Sequence, residues 1–596
     1  MLPIDIQPYF VLGVIALLFT ALYTEITKPA ISFLFATLVL VIGGVIIPKD
    51  VLDGLANESI ISIVLLILIT AGFRSNFNVE GLLDSLFKKA KSYRYFLGLM
   101  MAKVAILSSF VNNTPVVVLM TPYVFDWGRK NKISPSKLLI PLSYATIFGG
   151  MITIIGTSTT LVLNGFLAKN GLVTINALHL FYIGGCITIF CILFILLIGN
   201  KLLPSRQDLI EKFELSKREY LIEKRLSQDS DLVGKTVKEG GLRNLKGVYL
   251  VEIVRKDQII SPVNPNEIIE PNDILIFAGN TDTIIDLTLS NVGIELPSNL
   301  EPSSGKNLQV VEGVISANNS LIGKTVKESN FRERYDAAVV AIHRNGEKLS
   351  GKIGRIKIKA GDVLLMYVGK SFHNKVDVYK DLYIISGDLK EIRNSKKTDT
   401  LKLVVITVVI VSLLFTQSYS LFTSLLIITT VMVGMKLITL QNIKRDLDIN
   451  MIIILVLSLA IGQAMIKSGT GTIVAHQVVE LLMPYGNIGL LIGMVLITTV
   501  LTSFVTNVGA IAISFPLALG IINDLGIEGA PFFLAIAFAA SAAFITPIGY
   551  QTNLIVYGPG GYNFKDFLKI GVPVTCLYLA IVILGIALLY PQVFPI

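Results

Sequence analysis

The chain alternates between long apolar blocks and one charged central segment. Apolar runs fall near 8–26, 30–48, 59–73, 95–126, 136–168 and 177–199, then near 402–417, 419–439, 450–466, 486–522, 529–558 and 567–590. A helix needs about 20 apolar residues to cross the ~30 Å hydrocarbon core of a bilayer. Two runs in each block are too long for one upright helix, too short for two, and interrupted by polar residues or glycine. Such runs predict broken spans or hairpins of two half-helices.

The charged residues are concentrated between the two apolar blocks. Of the 596 residues, 53% are hydrophobic and 16% are charged. Residues 201–400 hold 31 Lys and Arg and 28 Asp and Glu, out of 51 and 42 in the whole chain. This division predicts a soluble insert between two membrane blocks, and it excludes a wholly soluble enzyme, a disordered chain and a single-anchor protein. The net charge of +9 is explained by cytoplasmic loops, so nucleic-acid binding is not predicted.

The basic residues beside two of the long runs indicate their orientation. No basic residue stands next to segment 486–522, whereas segment 95–126 is flanked by Lys88, Lys89, Lys91, Arg94, Arg129, Lys130, Lys132 and Lys137. By the positive-inside rule, the first hairpin enters from the cytoplasm and the second from outside. The same rule places the insert in the cytoplasm, since it is flanked by Lys201, Arg206, Lys396 and Lys397. Opposite directions of entry predict two repeats of inverted topology.

Two motifs recur between the blocks in the same order. Ser108-Ser-Phe-Val-Asn-Asn-Thr-Pro115 matches Thr502-Ser-Phe-Val-Thr-Asn-Val-Gly509 at an offset of 394 residues. Ile155-Gly-Thr-Ser-Thr-Thr-Leu161 matches Ile548-Gly-Tyr-Gln-Thr-Asn-Leu554 at an offset of 393. Inverted repeats with interrupted spans indicate a transporter whose site lies near the bilayer midplane.

The polar interruptions have a chemistry that suits ions. Carbonyls and the oxygens of Ser, Thr and Asn are hard, neutral ligands for a small cation such as sodium, while N–H groups at half-helix starts suit an anion. Neither hairpin tip contains a charged residue. Polar residues in spans also join helices by hydrogen bonds, and for a single Ser or Thr that explanation is favoured. For a repeated Asn-containing break we favour function, because an amide in hydrocarbon is costly.

The residues of these motifs resemble those of a known family. The hairpin tips are similar to the paired Ser-Asn-Thr signatures of the divalent anion/sodium symporters, within the ion transporter superfamily. The run Ser541–Tyr562 is similar to the branch with a regulatory insert, which includes sulfate permeases. The resemblance implies an elevator-type mechanism, a homodimer and two or more bound sodium ions, with no organic cofactor.

The resemblance also implies which residues form the sites. It implies a first sodium site at Ser108, Asn112, Asn113 and Gly156, and a second at Thr502, Thr506, Asn507 and Gly549. It implies a substrate site at Asn113, Thr114, Thr157, Ser158, Asn507, Val508, Tyr550 and Gln551. The Tyr550-Gln551 pair departs from the Thr-Pro of dicarboxylate carriers, and Val508 removes a hydroxyl. These departures favour a smaller oxyanion such as sulfate.

The insert contains its own duplication at an offset of 89 residues. Asp231–Glu239 repeats as Ser320–Glu328, and Asn272–Gly279 repeats as Gly361–Gly369, which has one additional residue before its last glycine. The alternating pattern predicts short strands, with a helix opening around Thr236 and Thr325. These units resemble two tandem C-terminal modules of potassium-channel RCK proteins (TrkA-C-like), over about 215–297 and 304–388.

The role of the insert is left open between two alternatives. One is a gate that senses a small ligand, and the other is an assembly or stability domain. A nucleotide-like ligand such as a cyclic dinucleotide would meet a basic run made by Lys352, Arg355, Lys357 and Lys359. A solvated strand face is the favoured explanation of that run.

These inferences combine into one expected architecture and function. We expect a polytopic α-helical membrane protein of two inverted repeats, each with five spans and one re-entrant hairpin, and a soluble α+β insert. The expected boundaries are 1–203, 204–299, 300–398 and 399–596. We expect a sodium-coupled symporter of a divalent oxyanion in the plasma (inner) membrane, with 204–398 cytoplasmic. Alternatives are a sodium/dicarboxylate symporter and an RCK-gated ion channel, whereas a membrane enzyme lacks an acid/base pair or metal cluster in the spans.

Overall fold

The computed structural model describes most of both apolar blocks and the strands of the insert. In the blocks it describes residues 3–23, 29–76, 92–206, 419–439 and 449–594, except 505 and 548. In the insert it describes 221–242, 248–279, 294–295, 309–369 and 382–386 with short gaps, and elsewhere Phe87, Phe372, Ile406, Val409 and Ile443. Apart from Ile406 and Val409, the predicted run 402–417 lies outside the described residues.

The long apolar runs of the first block are divided into half-helices. Its described helices are α1 (Gln7–Tyr23), α2 (Pro29–Ile42), α3 (Pro48–Leu55), α4 (Glu58–Asn76), α5 (Tyr93–Ser108), α6 (Asn113–Lys130), α7 (Leu139–Gly150), α8 (Ser158–Lys169) and α9 (Ala177–Phe194). Run 95–126 breaks between α5 and α6, and run 136–168 breaks between α7 and α8. Pro115 stands in the first turn of α6, where a helix needs no intrahelical N–H donor.

The insert consists of two sheets with the same topology. The first contains β1 (Leu221–Leu226), β2 (Val248–Arg255), β3 (Gln258–Ile260), β4 (Ile274–Gly279) and β5 (Ile294–Glu295), in the order β3-β2-β4-β1-β5. The second contains β6 (Gln309–Ile315), β7 (Ala337–Arg344), β8 (Glu347–Lys348), β9 (Val363–Val368) and β10 (Leu382–Ser386), in the order β10-β6-β9-β7-β8, and a helix α10 (Phe331–Tyr335). Read in reverse, the second order matches the first strand for strand. We call these sheets, with their connecting turns, the first unit and the second unit.

The duplication extends to individual side chains of the insert. Arg255 donates to Asp273 at 2.9 Å, and 89 residues later Arg344 donates to Asp362 at 2.7 Å. These hydrogen bonds raise the pKa of both guanidinium groups. In each unit the turn after the first strand is closed by a Glu that accepts from a Thr backbone N–H, Glu239 from Thr236 and Glu328 from Thr325. That bond lowers the pKa of both carboxyl groups.

The predicted helix openings around Thr236 and Thr325 are wrong. Thr236 forms an isolated bridge with Ile268 and is followed by turns up to Leu242. Gly241 within those turns has a φ of +70°, in the left-handed region that ends helical turns. Thr325 likewise forms a bridge with Lys357, and the short α10 begins only at Phe331.

The second block repeats the broken helices of the first. Its described helices are α11 (Leu421–Gly434), α12 (Ile449–Lys467), α13 (Thr470–Leu482), α14 (Gly486–Phe504), α15 (Asn507–Leu525), α16 (Ala530–Ala539), α17 (Gln551–Tyr557) and α18 (Phe564–Leu589). Helix α13 is absent from the predicted runs because it is amphipathic: it carries His476 and Glu480 and buries only part of its length.

The described part of the chain contains enough apolar helix for several membrane crossings. Six helical segments are long and apolar enough, namely Pro48–Gly72, Ala177–Leu202, Ile449–Lys467, Thr470–Ser503, Asn507–Leu525 and Phe564–Leu589. The two blocks share one buried core, in which α9 packs against α18 and the Phe148 and Phe544 rings lie 5.3 Å apart. The interrupted helices meet inside this core.

Candidate functional site

The first hairpin tip is a four-residue break with a polar pair across it. Ser108 ends α5 and Asn113 begins α6, and both side chains are fully buried. The Ser108 hydroxyl donates to Asn113 Oδ1 at 2.6 Å. Asn112 precedes the helix in an extended conformation, with ψ of 143°, and its side chain makes no capping bond. The break therefore frees backbone groups beside a neutral hydroxyl–amide pair.

The loop between α7 and α8 lies against this tip. A Cβ added at Gly156 would lie 2.8 Å from the Ser108 carbonyl oxygen and 2.4 Å from that of Gly150, so only glycine fits. The Thr153 hydroxyl donates to the carbonyl oxygen of Ser109 and accepts from the Gly156 N–H at 3.2 Å. Thr153 thus joins the loop to the hairpin tip.

The second tip has the same hydroxyl–amide pair across a shorter break, because α14 ends at Phe504 and α15 begins at Asn507. The Thr502 hydroxyl lies 2.9 Å from Asn507 Oδ1, and both residues are buried. Thr506 is the N-cap of α15, and its hydroxyl accepts from the Gly509 N–H at 3.2 Å. A Cβ added at Gly549 would lie 3.2 Å from the Thr502 carbonyl oxygen.

The same threonine link is present at the second loop. The Thr546 hydroxyl donates to the Ser503 carbonyl oxygen at 3.0 Å and accepts from the Gly549 N–H at 3.1 Å. Thr153 and Thr546 are 393 residues apart, the offset of the loop motifs themselves. Both threonines stand two residues before the repeated motif that begins at Ile155 and Ile548. The repeat therefore extends upstream, where Thr153-Ile-Ile-Gly156 matches Thr546-Pro-Ile-Gly549.

The first tip also meets the loop of the other block. Asn113 Nδ2 donates to the Tyr550 hydroxyl at 2.7 Å, and the Thr114 hydroxyl lies 3.2 Å from Gln551 Oε1. These contacts bring together four residues of the predicted substrate site that are separated by 437 positions in the chain. Helices α6 and α17 thus begin side by side, joined by two polar contacts.

Other predicted residues lie around this centre without joining it directly. The Thr157 hydroxyl bonds that of Thr159, which in turn lies 2.8 Å from the Ser541 hydroxyl. Ser158 begins α8 and is partly exposed, and Val508 lies buried in the first turn of α15 with an apolar side chain. A further link between the blocks, which we did not predict, joins the Ser143 hydroxyl to Asn553 Oδ1 at 2.7 Å.

The electrostatics of the site come from dipoles and neutral oxygens. The starts of α6 and α15 direct backbone N–H groups and the positive ends of helix dipoles toward the two tips. No group of three or more His, Cys, Asp and Glu that could hold a metal ion occurs among the described residues. The oxygens of Ser, Thr, Asn and the backbone instead form hard, neutral surroundings of the kind that suit an alkali cation.

Many apolar helices, several of them interrupted around a buried polar centre, define a polytopic membrane transporter. The chain belongs to the family whose model is described as CitMHS, citrate transporter, which matches residues 14–428 and 413–596. The predicted membership in the ion transporter superfamily is therefore confirmed. The chain is an integral multi-pass membrane protein and a transporter, not an enzyme.

Curated relatives agree with this membership. A protein of Chlamydomonas reinhardtii whose name links it to sulfur deprivation is 29% identical over 93% of this chain and 97% of its own length. An uncharacterized transporter of Synechocystis is 29% identical over 94% of this chain and 93% of its own length. Sodium/sulfate cotransporter 1 of Chlamydomonas reinhardtii is 30% identical, over 59% of this chain and 43% of its own length.

Proposed function

We propose that this protein is a secondary active transporter that couples the entry of sodium to that of a small divalent oxyanion, with sulfate favoured. The observation that carries the proposal is the repeated, uncharged hydroxyl–amide pair at the two tips, each facing a glycine loop. Relatives named as sodium/sulfate cotransporters, at 27–30% identity, support it.

The two tips are proposed to hold sodium. The first site would use Ser108, Asn112, Asn113 and Gly156, and the second Thr502, Thr506, Asn507 and Gly549. Gly156 and Gly549 allow their loops to approach the tip carbonyls, and Thr153 and Thr546 hold that approach in place. A cation bound at these oxygens would supply the positive charge that the tips lack.

The anion is proposed to bind between the tips, near Asn113, Thr114, Asn507, Tyr550 and Gln551. The Tyr550 ring narrows this space, because its hydroxyl already reaches the Asn113 amide. Val508, Thr157 and Ser158 would form the sides. With no cationic side chain in either tip, the anion would depend on N–H groups, hydroxyls and bound sodium, which would couple the two species.

The larger architecture is proposed from the same repeats. The two blocks, 1–203 and 399–596, would be inverted repeats that form a homodimer and move the site across the membrane by an elevator-type motion. The units at 204–299 and 300–398 would be cytoplasmic RCK-C-like domains that regulate or assemble the transporter. The matching strand orders of the two units support a tandem pair.

Transport by the purified chain in proteoliposomes tests this function. We expect saturable uptake of labelled sulfate that requires an inward sodium gradient and is competed by unlabelled sulfate. The family description favours a carboxylate as the second candidate substrate. Sodium-dependent uptake of labelled citrate or succinate, with no uptake of labelled sulfate, would replace the oxyanion by a carboxylate. Conductance far above carrier rates would instead indicate a channel.

A further inference from the structure

The second unit of the insert packs against a helix that begins at the candidate site. Its turn over Gly361–Val363 lies on α17. A Cβ added at Gly361 would lie 2.8 Å from Leu554 Cδ1, and one added at Gly558 would lie 2.3 Å from Val363 Cγ2. Such separations leave no room for a side chain or water. The two glycines therefore allow direct contact between the insert and the membrane block.

The same unit also reaches a second helix of the site. Strand β10 packs against α6, and Tyr383 of that strand is packed against the buried core that the two blocks share. Val314 and Val363 of the second unit belong to that core as well. The second unit thus contacts α6 and α17 together.

The first unit lacks the residues that make this contact. Among the residues that the structure describes, none of the first unit belongs to the buried core that the two blocks share. At the offset of 89, Gly361 corresponds to Asn272 and Val314 to Arg225. Asn272 adopts nearly the same turn, with φ of +65° against +77° at Gly361. If the first unit took the place of the second, however, the Asn272 side chain would collide with Leu554, because a Cβ at that position lies 2.8 Å from Leu554 Cδ1. The two units share a fold, and among the described residues it is the second unit whose surface contacts the membrane block.

Helices α6 and α17 are consequently held together at two levels. At the site their first turns are joined by Asn113 to Tyr550 and by Thr114 to Gln551. Gly558 follows Gln551 by seven residues, about 10 Å along a helix. We propose that the second unit is a clamp on α6 and α17: while bound, it keeps the site closed on the insert side, and its release opens the site. The role of the site rests on the proposed function, whereas the clamp itself can be tested without transport.

The first experiment loosens the contact from the membrane side. Gly558 has φ of −64°, which any residue adopts, so Gly558→Val disturbs the contact with Val363 and leaves the insert sequence unchanged. The matched control is Gly434→Val at the end of α11, where nothing lies within 4 Å of an added Cβ. The reporter is a cysteine at position 114 (Thr114→Cys), in a chain whose Cys186, Cys191 and Cys576 are replaced by Ala.

The readout is the rate at which an impermeant maleimide labels the reporter in inside-out vesicles. We expect Gly558→Val to raise the rate about fivefold or more and Gly434→Val to change it less than about twofold. Equal rates in the two variants would overturn the clamp, whether or not the protein carries sulfate.

The second experiment fixes the contact instead. A Cβ at position 558 lies 3.7 Å from Val363 Cβ, inside the ~3.5–4.5 Å span of disulfides. The oxidised Gly558→Cys/Val363→Cys variant should lose about 90% or more of its uptake and regain it on reduction. Each variant that carries only one of the two introduced cysteines should respond to neither oxidation nor reduction. Full uptake by completely cross-linked protein would also overturn the clamp.

Discussion

The two hairpin tips share one arrangement of polar groups and differ in the residues around it. Both have a hydroxyl paired with an Asn amide, a glycine loop, and a Thr that links loop to tip. The first Asn, Asn113, also bonds Tyr550 of the other block, whereas Thr502 at the second tip bonds the Ala540 carbonyl oxygen of its own block at 2.6 Å. We propose that the shared arrangement binds sodium, and the difference leads us to propose that the anion lies nearer the first tip than the second.

The largest expected effect comes from removing either amide. Asn113→Ala and Asn507→Ala should each reduce sodium-dependent uptake about a hundredfold or more, because each removes a proposed ion ligand and one hydrogen bond of a buried hydroxyl, the bond alone being worth about 0.5–1.5 kcal/mol. Asn164→Ala, on α8 outside both tips, is the control for loss of an amide in the same core. Undiminished uptake in either tip variant would contradict the site assignment at that tip.

Removing either linking threonine should weaken sodium binding, and the effect on uptake should be smaller than that of removing either amide. Thr153→Val and Thr546→Val each delete a hydroxyl that holds a loop glycine to a tip carbonyl, so the sodium concentration for half-maximal uptake should rise about tenfold. The maximal rate at saturating sodium should change less. The Ser variants should restore sodium affinity, since Ser retains the hydroxyl. If one threonine matters and the other does not, the two tips are not equivalent.

Tyr550 should affect the anion more than sodium. Tyr550→Phe keeps the ring and removes the hydroxyl that accepts from Asn113 Nδ2. We expect the KM for the anion to change about three- to tenfold, with a smaller change in sodium affinity. A change confined to sodium affinity would assign Tyr550 to the first sodium site instead.

The smallest effect should come from the position after each Asn. Thr114 contacts Gln551, while Val508 at the equivalent place has no polar atom in its side chain. Thr114→Val should raise the KM for the anion about threefold, whereas Val508→Thr should change that KM by less than about twofold. Equal effects of the two changes on KM would show that the anion lies midway between the tips.

The resemblance to a known family predicted the parts of this site that lie within a single hairpin tip. The pairs Ser108 with Asn113 and Thr502 with Asn507 lie five residues apart, so a break between them necessarily brings them close. Thr153 and Thr546 lie two residues before the repeated motif and share its offset of 393, so the sequence does contain the signal for them. The bond between Asn113 and Tyr550 depends on how the two blocks pack, which no local pattern encodes.

Local sequence patterns also predicted only part of the fold. Continuous apolar runs predicted the long helices, but the amphipathic α13 has no such run. The duplication in the insert sequence predicted two sets of short strands, and the structure has two sheets with matching strand orders. The helix expected at Thr236 is instead a series of turns that includes Gly241 in the left-handed region. In the described part of the insert, Gly361 of the second unit contacts α17 at the position where the first unit has Asn272, a difference whose meaning requires the packed structure.

The central claim is that both tips hold sodium and that the anion site depends on them. Its most direct test is the sodium dependence of sulfate uptake by the unmodified chain in proteoliposomes at fixed membrane potential. We predict a sigmoidal dependence with a Hill coefficient above one, and no uptake above background without sodium. Sulfate uptake that proceeds equally well without sodium would contradict the account.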